Sequence, residues 1–217
     1  MNFEIYTYMI RILIADDHAI VRAGLKQLVA ASPNIVVAAE ASTGPEALHL
    51  IRKESFEVVL LDISMPGRGG LEVLSEIKKE YPRLPVLILS MHPEEQYAMR
   101  ALKGGASGYI TKDSAPEELV AAILKVASGS KYITKSLAEQ FLYLLDAEET
   151  PPHTSLSDRE YQVFRLIASG KTATEIAKEL SLSVKTISTY RARILEKLHL
   201  KNNAQLMHYA AENKLFF

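Results

Sequence analysis

The sequence predicts an α/β fold, a five-stranded parallel sheet with helices on both faces, followed by an all-α unit of four helices. Three observations carry this. Through the front of the chain, short apolar runs alternate with segments of roughly 10–15 residues whose apolar positions recur at helical spacing, the rhythm of a parallel sheet. The run Val58-Val59-Leu60-Leu61 offers apolar side chains to both faces, as a strand covered on both sides must. The charge is also split. From Ser155 onward 10 Lys and Arg stand against 6 Asp and Glu, a balance of +4, while the rest carries 15 against 20, a balance of −5.

The 217 residues have room for two small domains, and 48% hydrophobic with 24% charged residues is ordinary for a globular chain. Cysteine is absent, which excludes a disulfide framework and a thiolate zinc site. No apolar run approaches the roughly 18 residues of a membrane span. Nor does the start carry the basic and apolar regions of a signal peptide. A cytoplasmic protein with no membrane partner is expected. Met1 to Tyr8 read as a lead-in, with Met9 as an alternative start. The basic back suits a polyanionic partner.

Taken in order, the expected strands are Ile10–Ala15, Ile35–Ala39, Val58–Leu61, Val86–Leu89 and Gly108–Ile110. Helical patterns fill the intervals, as over Gly70–Glu80 and Pro93–Lys103. A last helix of this block opens with Ser114-Ala115-Pro116-Glu117, the spacing of a capping box.

Four of the five strands deliver polar residues at their carboxyl ends: Asp16-Asp17 after the first, Asp62 after the third, Ser90 after the fourth, Thr111-Lys112 after the fifth. A parallel sheet gathers all of these on one edge, where open α/β folds bind ligands. Asp62 alone, followed by Met65-Pro66-Gly67, would equally suit a turn. Its company decides. Three crowded carboxylates repel one another unless a hard cation sits among them, and Mg²⁺ fits a few carboxylates plus water and phosphate oxygens. A lysine supplies a point charge for a phosphoryl oxygen, and a hydroxyl donates to another. A carboxylate in that setting is a nucleophile for phosphoryl transfer. His18 opens the first helix, or adds an imidazole to the metal set.

Asp16-Asp17, Asp62, Ser90, Tyr109 and Lys112, with Asp62-Ile63-Ser64-Met65-Pro66-Gly67 and Gly105-Ala106-Ser107-Gly108-Tyr109, resemble the receiver domain of bacterial two-component response regulators. The resemblance implies a flavodoxin-like sheet and a phosphoryl group accepted on Asp62 from a sensor histidine kinase. It implies Mg²⁺ held by Asp16, Asp17, Asp62 and the backbone carbonyl of Ser64. Lys112 would pair with the phosphate. Ser90 and Tyr109 would form a switch in which the hydroxyl moves to the phosphate and the ring turns inward. Two positions flank the approach of hydrolytic water, here Ser64 and His92. Neither is a carboxylate or amide, though a neutral imidazole at His92 could orient water. Met91 adds bulk that should narrow access.

Thr134 to Asp146 reads as a further helix, with Leu137, Phe141, Leu144 and Leu145 as its apolar stripe. Ala147 to Thr154, acidic with paired prolines, reads as a semi-extended linker. The expected organisation is a receiver over 9–131, helix and linker over 132–154, and the basic unit over 155–217.

In the basic unit, Ser157-Asp158-Arg159-Glu160 and Thr172-Ala173-Thr174-Glu175 are capping boxes, and Gly170 closes the first helix. A short helix over Ala173–Leu180, a turn at Ser181-Leu182-Ser183 and a long helix to Leu198 make a helix-turn-helix, with a fourth helix over Asn203–Asn213. At 100° per residue, Ile187, Ile194 and Leu198 form the core stripe of the long helix. Lys185, Ser188, Thr189, Ala192 and Arg193 point the other way, an open face of small residues and cations suited to a major groove. Thr186 lies at the head of this helix, and Arg191, near the core flank, suits a phosphate. The segment from Leu156-Ser157-Asp158-Arg159-Glu160 through Ser183-Val184-Lys185-Thr186-Ile187 to Lys197-Leu198 resembles the LuxR-type helix-turn-helix of NarL/FixJ response regulators. Tyr190, where the family commonly has His, matches its GacA/UvrY-like subgroup.

The implied function is a phosphorylation-dependent regulator of transcription that binds double-stranded DNA, as a homodimer once phosphorylated or on DNA. The alternative is a regulator acting through protein or RNA partners with incidental DNA contact. An aspartate-nucleophile phosphatase is disfavoured because position 64 is Ser rather than a second acid.

Overall fold

The computed structural model describes residues 9–91, 94–114, 116–135, 137–139, 151–213 and 215. The chain divides into two compact units between Leu137 and Ala138. The first holds β1 (Ile10–Ala15), α1 (Ala19–Ala30), β2 (Ile35–Ala41), α2 (Gly44–Lys53), β3 (Val58–Asp62), α3 (Gly70–Glu80), β4 (Val86–Ser90), α4 (Glu94–Lys103), β5 (Gly108–Thr111) and α5 (Pro116–Ala127). The strands form one sheet in the order β2-β1-β3-β4-β5. Every pairing is parallel.

The apolar runs are explained by burial. All residues of β3 and β4 are buried. One side of the sheet, carrying Ile12, Ile14, Leu60, Leu87 and Leu89, packs with Leu25 and Val29 of α1 and Leu119, Ile123 and Val126 of α5. The alternate residues, among them Leu13, Val59, Leu61 and Ile88, are equally buried. At about 25 cal/mol per Å² of apolar surface, this two-sided burial is the main force holding the unit together.

The order reverses direction between β1 and β3, so their carboxyl ends open a crevice at the switch point. Gly70 closes its wall. A Cβ there would lie 2.0 Å from the carbonyl oxygen of Asp62, so only glycine lets α3 start against that strand end. Gly70 N–H donates to the Ile63 carbonyl at 2.9 Å.

Beyond α5 the chain crosses the outer edge of β5. Tyr132 bridges to Gly108, its N–H reaching the Ser107 carbonyl at 2.8 Å. A Cβ on Gly108 would sit 2.8 Å from the Tyr132 carbonyl oxygen. The Tyr132 hydroxyl donates to Glu118 at 2.8 Å and Thr134 to Glu94 at 2.5 Å. Residues 135 and 137–139 are helical and Leu137 is buried. The rest of the helix expected to Asp146, like the first part of the linker, lies outside the described residues. So does residue 115. Ser114, read as the cap of α5, has its hydroxyl 3.1 Å from that of Thr111.

The second unit opens with a 3-10 turn, Pro152–Ser155, followed by α6 (Asp158–Ala168), α7 (Ala173–Glu179), α8 (Val184–Lys197) and α9 (Asn203–Glu212). The turn corrects the expectation of an extended linker up to Thr154. Proline's fixed φ suits it, and His153 anchors it, its Nδ1 lying 3.0 Å from the Tyr209 hydroxyl of α9. Both expected capping boxes form. Gly170, at φ +86°, ends α6 in the left-handed conformation that favours glycine. Phe164, Ile176, Ile187, Ile194 and Leu206 bring the four helices to one core.

Candidate functional site

At the crevice, Asp16 follows β1 and Asp62 ends β3, both fully buried. Lys112 follows β5 and is drawn in by its own N–H, which continues the sheet by donating to the Ser90 carbonyl at 2.8 Å. Its side chain, 5% exposed, places Nζ 2.6 Å from Asp16 Oδ2 and 3.0 Å from Asp62 Oδ2. The Ser64 N–H donates to Asp62 Oδ1 at 3.2 Å, turning the chain away after the acid. The His18 N–H does the same for Asp16 Oδ1 at 2.8 Å. The His18 ring stands outside, with Nδ1 2.9 Å from Asp17 Oδ1.

Burial raises the pKa of Asp62, and Lys112 only partly opposes it. Burial works against the charge of Lys112 too, but Asp62 and Asp16 outweigh it and hold its pKa up. One ammonium is shared by Asp16 and Asp62, with the Asp17 carboxylate close by. Asp16 Oδ2, Asp17 Oδ1 and Asp62 Oδ2 are buried and accept no well-angled hydrogen bond, despite the nearby nitrogens of Lys112 and His18. Asp16, Asp17, His18 and Asp62 each offer a ligand atom within 4.8 Å of the others. Buried, under-partnered carboxylate oxygens with excess negative charge fit a hard divalent cation such as Mg²⁺. The structure brings Asp16, Asp17, Asp62 and Lys112 together at one strand edge.

Ser90 ends β4, and Tyr109 lies beside Ile88 in the β4–β5 register. Residues two apart share a face of a strand, so Ser90 and Tyr109 stand on one side of the sheet, one step apart. Both are fully buried, and the Tyr109 ring already lies inward. Ser64 is exposed, and Met91 is 72% exposed. His92 lies outside the described residues. Two contributors escaped sequence reasoning. Arg22 holds the Asp16 carbonyl through Nη1 at 2.7 Å, and Gly70 gives Asp62 its backbone clearance. A basic residue one turn past His18 and the paired Gly69-Gly70 were the available signals.

On the second unit, Ser181 turns the chain between α7 and α8 at φ +53°, strained for a residue with a Cβ. Ser183 caps α8 through the Thr186 N–H at 3.0 Å. Lys185, Ser188, Thr189, Ala192 and Arg193 are exposed, as the helical projection requires, while Thr186, Tyr190 and Arg191 are half-buried. Lys185, Thr186, Thr189, Tyr190 and Arg193 line a shallow depression. The Ser188 and Thr189 hydroxyls donate back to the carbonyls of Val184 and Lys185 at 3.0 and 3.1 Å, which leaves their lone pairs to accept. Arg191 is steered by Asn203 of α9 at 2.6 Å. Beneath this surface Lys197 reaches buried Glu160 at 2.6 Å, tying α8 to the start of α6. Burial alone would raise the Glu160 pKa, but Lys197 and Ser157 together hold it down.

Residues 12–124 match the response regulator receiver domain, and residues 154–210 match the bacterial regulatory proteins of the luxR family. The chain is 38% identical over 209 residues to the response regulator UvrY of Escherichia coli K12, covering 95% of this chain and 96% of that one. It is 36% identical over 200 residues to the response regulator GacA of Pseudomonas aeruginosa, covering 91% and 94%. Among solved structures, RcsB of Salmonella typhimurium superposes with a TM-score of 0.69 at 27% identity, covering 97% and 100%. RcsB bound to promoter rprA in the presence of phosphomimetic BeF3⁻ gives 0.64 at 28%, covering 94% and 98%. Among the described residues no helix is long and apolar enough to cross a membrane.

Proposed function

The chain belongs to the NarL/FixJ response regulators, which join a receiver to a LuxR-type DNA-binding domain, and from that premise we propose that it regulates transcription according to the phosphorylation of Asp62. The observation that carries the reading is the buried Asp62 carboxylate, sharing Lys112 with Asp16 while its Oδ2 lacks a full partner.

The phosphoryl group comes from the histidine of a sensor kinase. An Asp62 oxygen bonds to phosphorus as the P–N bond breaks. Lys112 neutralises an oxygen of the incoming group, and the Ser64 N–H keeps the carboxylate oriented. Asp16, Asp17, Asp62 and the Ser64 carbonyl would hold Mg²⁺, which shields the negative charge gathered at the acyl phosphate. The Ser90 hydroxyl then donates to the phosphoryl group, and the inward Tyr109 ring fills the space that the hydroxyl leaves. Phosphorylation adds about −1.5 to −2 charges and biases two states already in equilibrium.

The output is DNA binding through α8. Lys185, Ser188, Thr189, Ala192 and Arg193 approach base edges, and Thr186 and Arg191 the backbone, with two copies on spaced half-sites. We assign the receiver to 9–131, the helix and linker to 132–154 and the DNA-binding domain to 155–217, and place the protein in the cytoplasm. The test is phosphorylation by acetyl phosphate with Mg²⁺, read by intact mass. The wild type gains one phosphoryl group and Asp62→Asn gains none. A phosphoryl adduct on the variant overturns the assignment. Sequence-selective, salt-dependent DNA binding, strengthened by phosphorylation, tests the output.

A further inference from the structure

At the opposite, amino edge of the sheet lies a pair of amines that phosphoryl transfer and DNA binding leave unused. Lys78, near the end of α3, is half-buried. Its stem packs on the Gly105 turn, where a Cβ on Gly105 would come within 3.1 Å of Lys78 Cγ. Its Nζ donates to the Leu84 carbonyl at 2.5 Å, just before β4. Lys131 comes from the other side and donates to the Ala106 carbonyl, just before β5. Among the described residues, neither ammonium has a carboxylate within 4.0 Å. Neighbouring Lys79 and Glu80 are exposed, and Glu80 is engaged by Arg52.

Two neighbouring cations, part-desolvated and without a carboxylate partner among the described residues, are costly together. The cost falls when one becomes neutral. Lys78 is the more enclosed, and burial, with Lys131 adding to it, pulls its pKa down from 10.5 to about 8. A carbonyl acceptor is still satisfied by the N–H of a neutral amine, whose lone pair is then free to attack. Lys131, nearer solvent, remains a cation able to hold an anionic leaving group.

We propose that Lys78 is a site of acyl transfer, taking an acyl group from small acyl phosphates while Lys131 receives the phosphate. The amine nitrogen bonds to the acyl carbon, and the C–O bond to phosphate breaks. The nitrogen's proton leaves with the departing inorganic phosphate or to water. The product is a neutral amide, which ends the repulsion with Lys131. This inference does not rest on Asp62.

The size of the effect follows from two opposed factors. Near pH 8 about half of such amines are neutral, roughly a hundredfold more than of an ordinary lysine. The lower basicity costs nucleophilicity, about 10-fold or slightly more if amines follow the sensitivity known for thiolates. About tenfold remains.

The full-length protein and its Asp62→Asn variant are incubated with acetyl phosphate at pH 8, and site occupancy is followed by mass spectrometry after cleavage at glutamate. Cleavage after Glu76 and Glu80 leaves Lys78 and exposed Lys79 in one peptide, each the internal reference for the other. The expected result is acetylation of Lys78 about tenfold faster than Lys79 in both proteins. Lys131→Met should bring Lys78 down several-fold and leave Lys79 unchanged. Lys78 reacting no faster than Lys79 overturns the proposal, and an unchanged Lys78 rate in Lys131→Met overturns the part given to Lys131.

Discussion

Replacing the phosphoryl acceptor should stabilise the metal-free protein. In Asp62→Asn the side chain keeps its shape and loses its charge. Lys112 Nζ lies 3.0 Å from Asp62 Oδ2, an attraction of about 5.5 kcal/mol at the effective dielectric of ~20 that suits buried protein sites. Asp16 and Asp17 lie within 4.8 Å of Asp62 through their ligand atoms, and each repels it by at least ~3.5 kcal/mol on the same scale. The two repulsions outweigh the attraction by about 1.5 kcal/mol, and burial of the charge adds to the penalty. Screening at half-exposed Asp17 trims the figure. So does the amide, which can accept from Ser64 N–H or from Lys112 but not from both, a loss of about 1 kcal/mol. The expected gain is roughly 1 kcal/mol, a few degrees in the midpoint of the first unit. The assay is urea unfolding followed by circular dichroism with a chelator present. Adding Mg²⁺ should raise the stability of the wild type more than that of the variant, because only the wild type keeps the full acid set. A variant less stable than wild type without divalent ions would refute the claim that charge crowding dominates this site.

Three further outcomes are expected. Alanine at Lys185, Thr189 and Arg193 together should weaken specific DNA binding by a few kcal/mol, from about 1–3 for each good base contact; a titration at fixed salt showing unchanged affinity in a folded variant would mean another element reads the DNA. Met91→Ala should shorten the lifetime of the phosphorylated protein after donor removal, and His92→Ala should alter it. Equal lifetimes in wild type and both variants would place control of hydrolysis elsewhere. Gly70→Ala sets a Cβ 2.0 Å from a carbonyl oxygen that cannot move without displacing Asp62, so it should cost at least ~3 kcal/mol and impair phosphorylation together. Normal unfolding and normal phosphorylation in this variant would show that the wall is more pliant than its packing implies.

Residues whose position follows from strand order were legible in the sequence. Once the apolar runs were strands of a parallel sheet, Asp16, Asp62, Ser90 and Lys112 had to meet, because each lies at a carboxyl end. The exposed face of α8 was legible for a similar reason, since a helix of known phase assigns every side chain a direction. Contacts set by backbone proximity were not legible. Nothing in the residue string says that α3 starts within touching distance of Asp62, so Gly70 read only as the first residue of a helical pattern. Arg22 could have pointed to any acid; its Nε reaches Glu40 at 3.3 Å, while its Nη1 holds the Asp16 carbonyl at 2.7 Å. His153 sat in a stretch whose prolines and acids suggested an extended chain. Its partner, Tyr209, lies 56 residues on, beyond the reach of local pattern.

The segment that crosses β5 bears on how the receiver can be handled in solution. A terminal strand presents a row of unpaired amides and carbonyls, to which a second copy can add. Here Tyr132 occupies part of that row, Lys131 caps the Ala106 carbonyl, and the glycine at 108 gives the crossing chain its close approach. A receiver cut before Lys131 would present β5 bare and should self-associate as its concentration rises. One that runs through Leu137 keeps the edge covered and should remain dispersed.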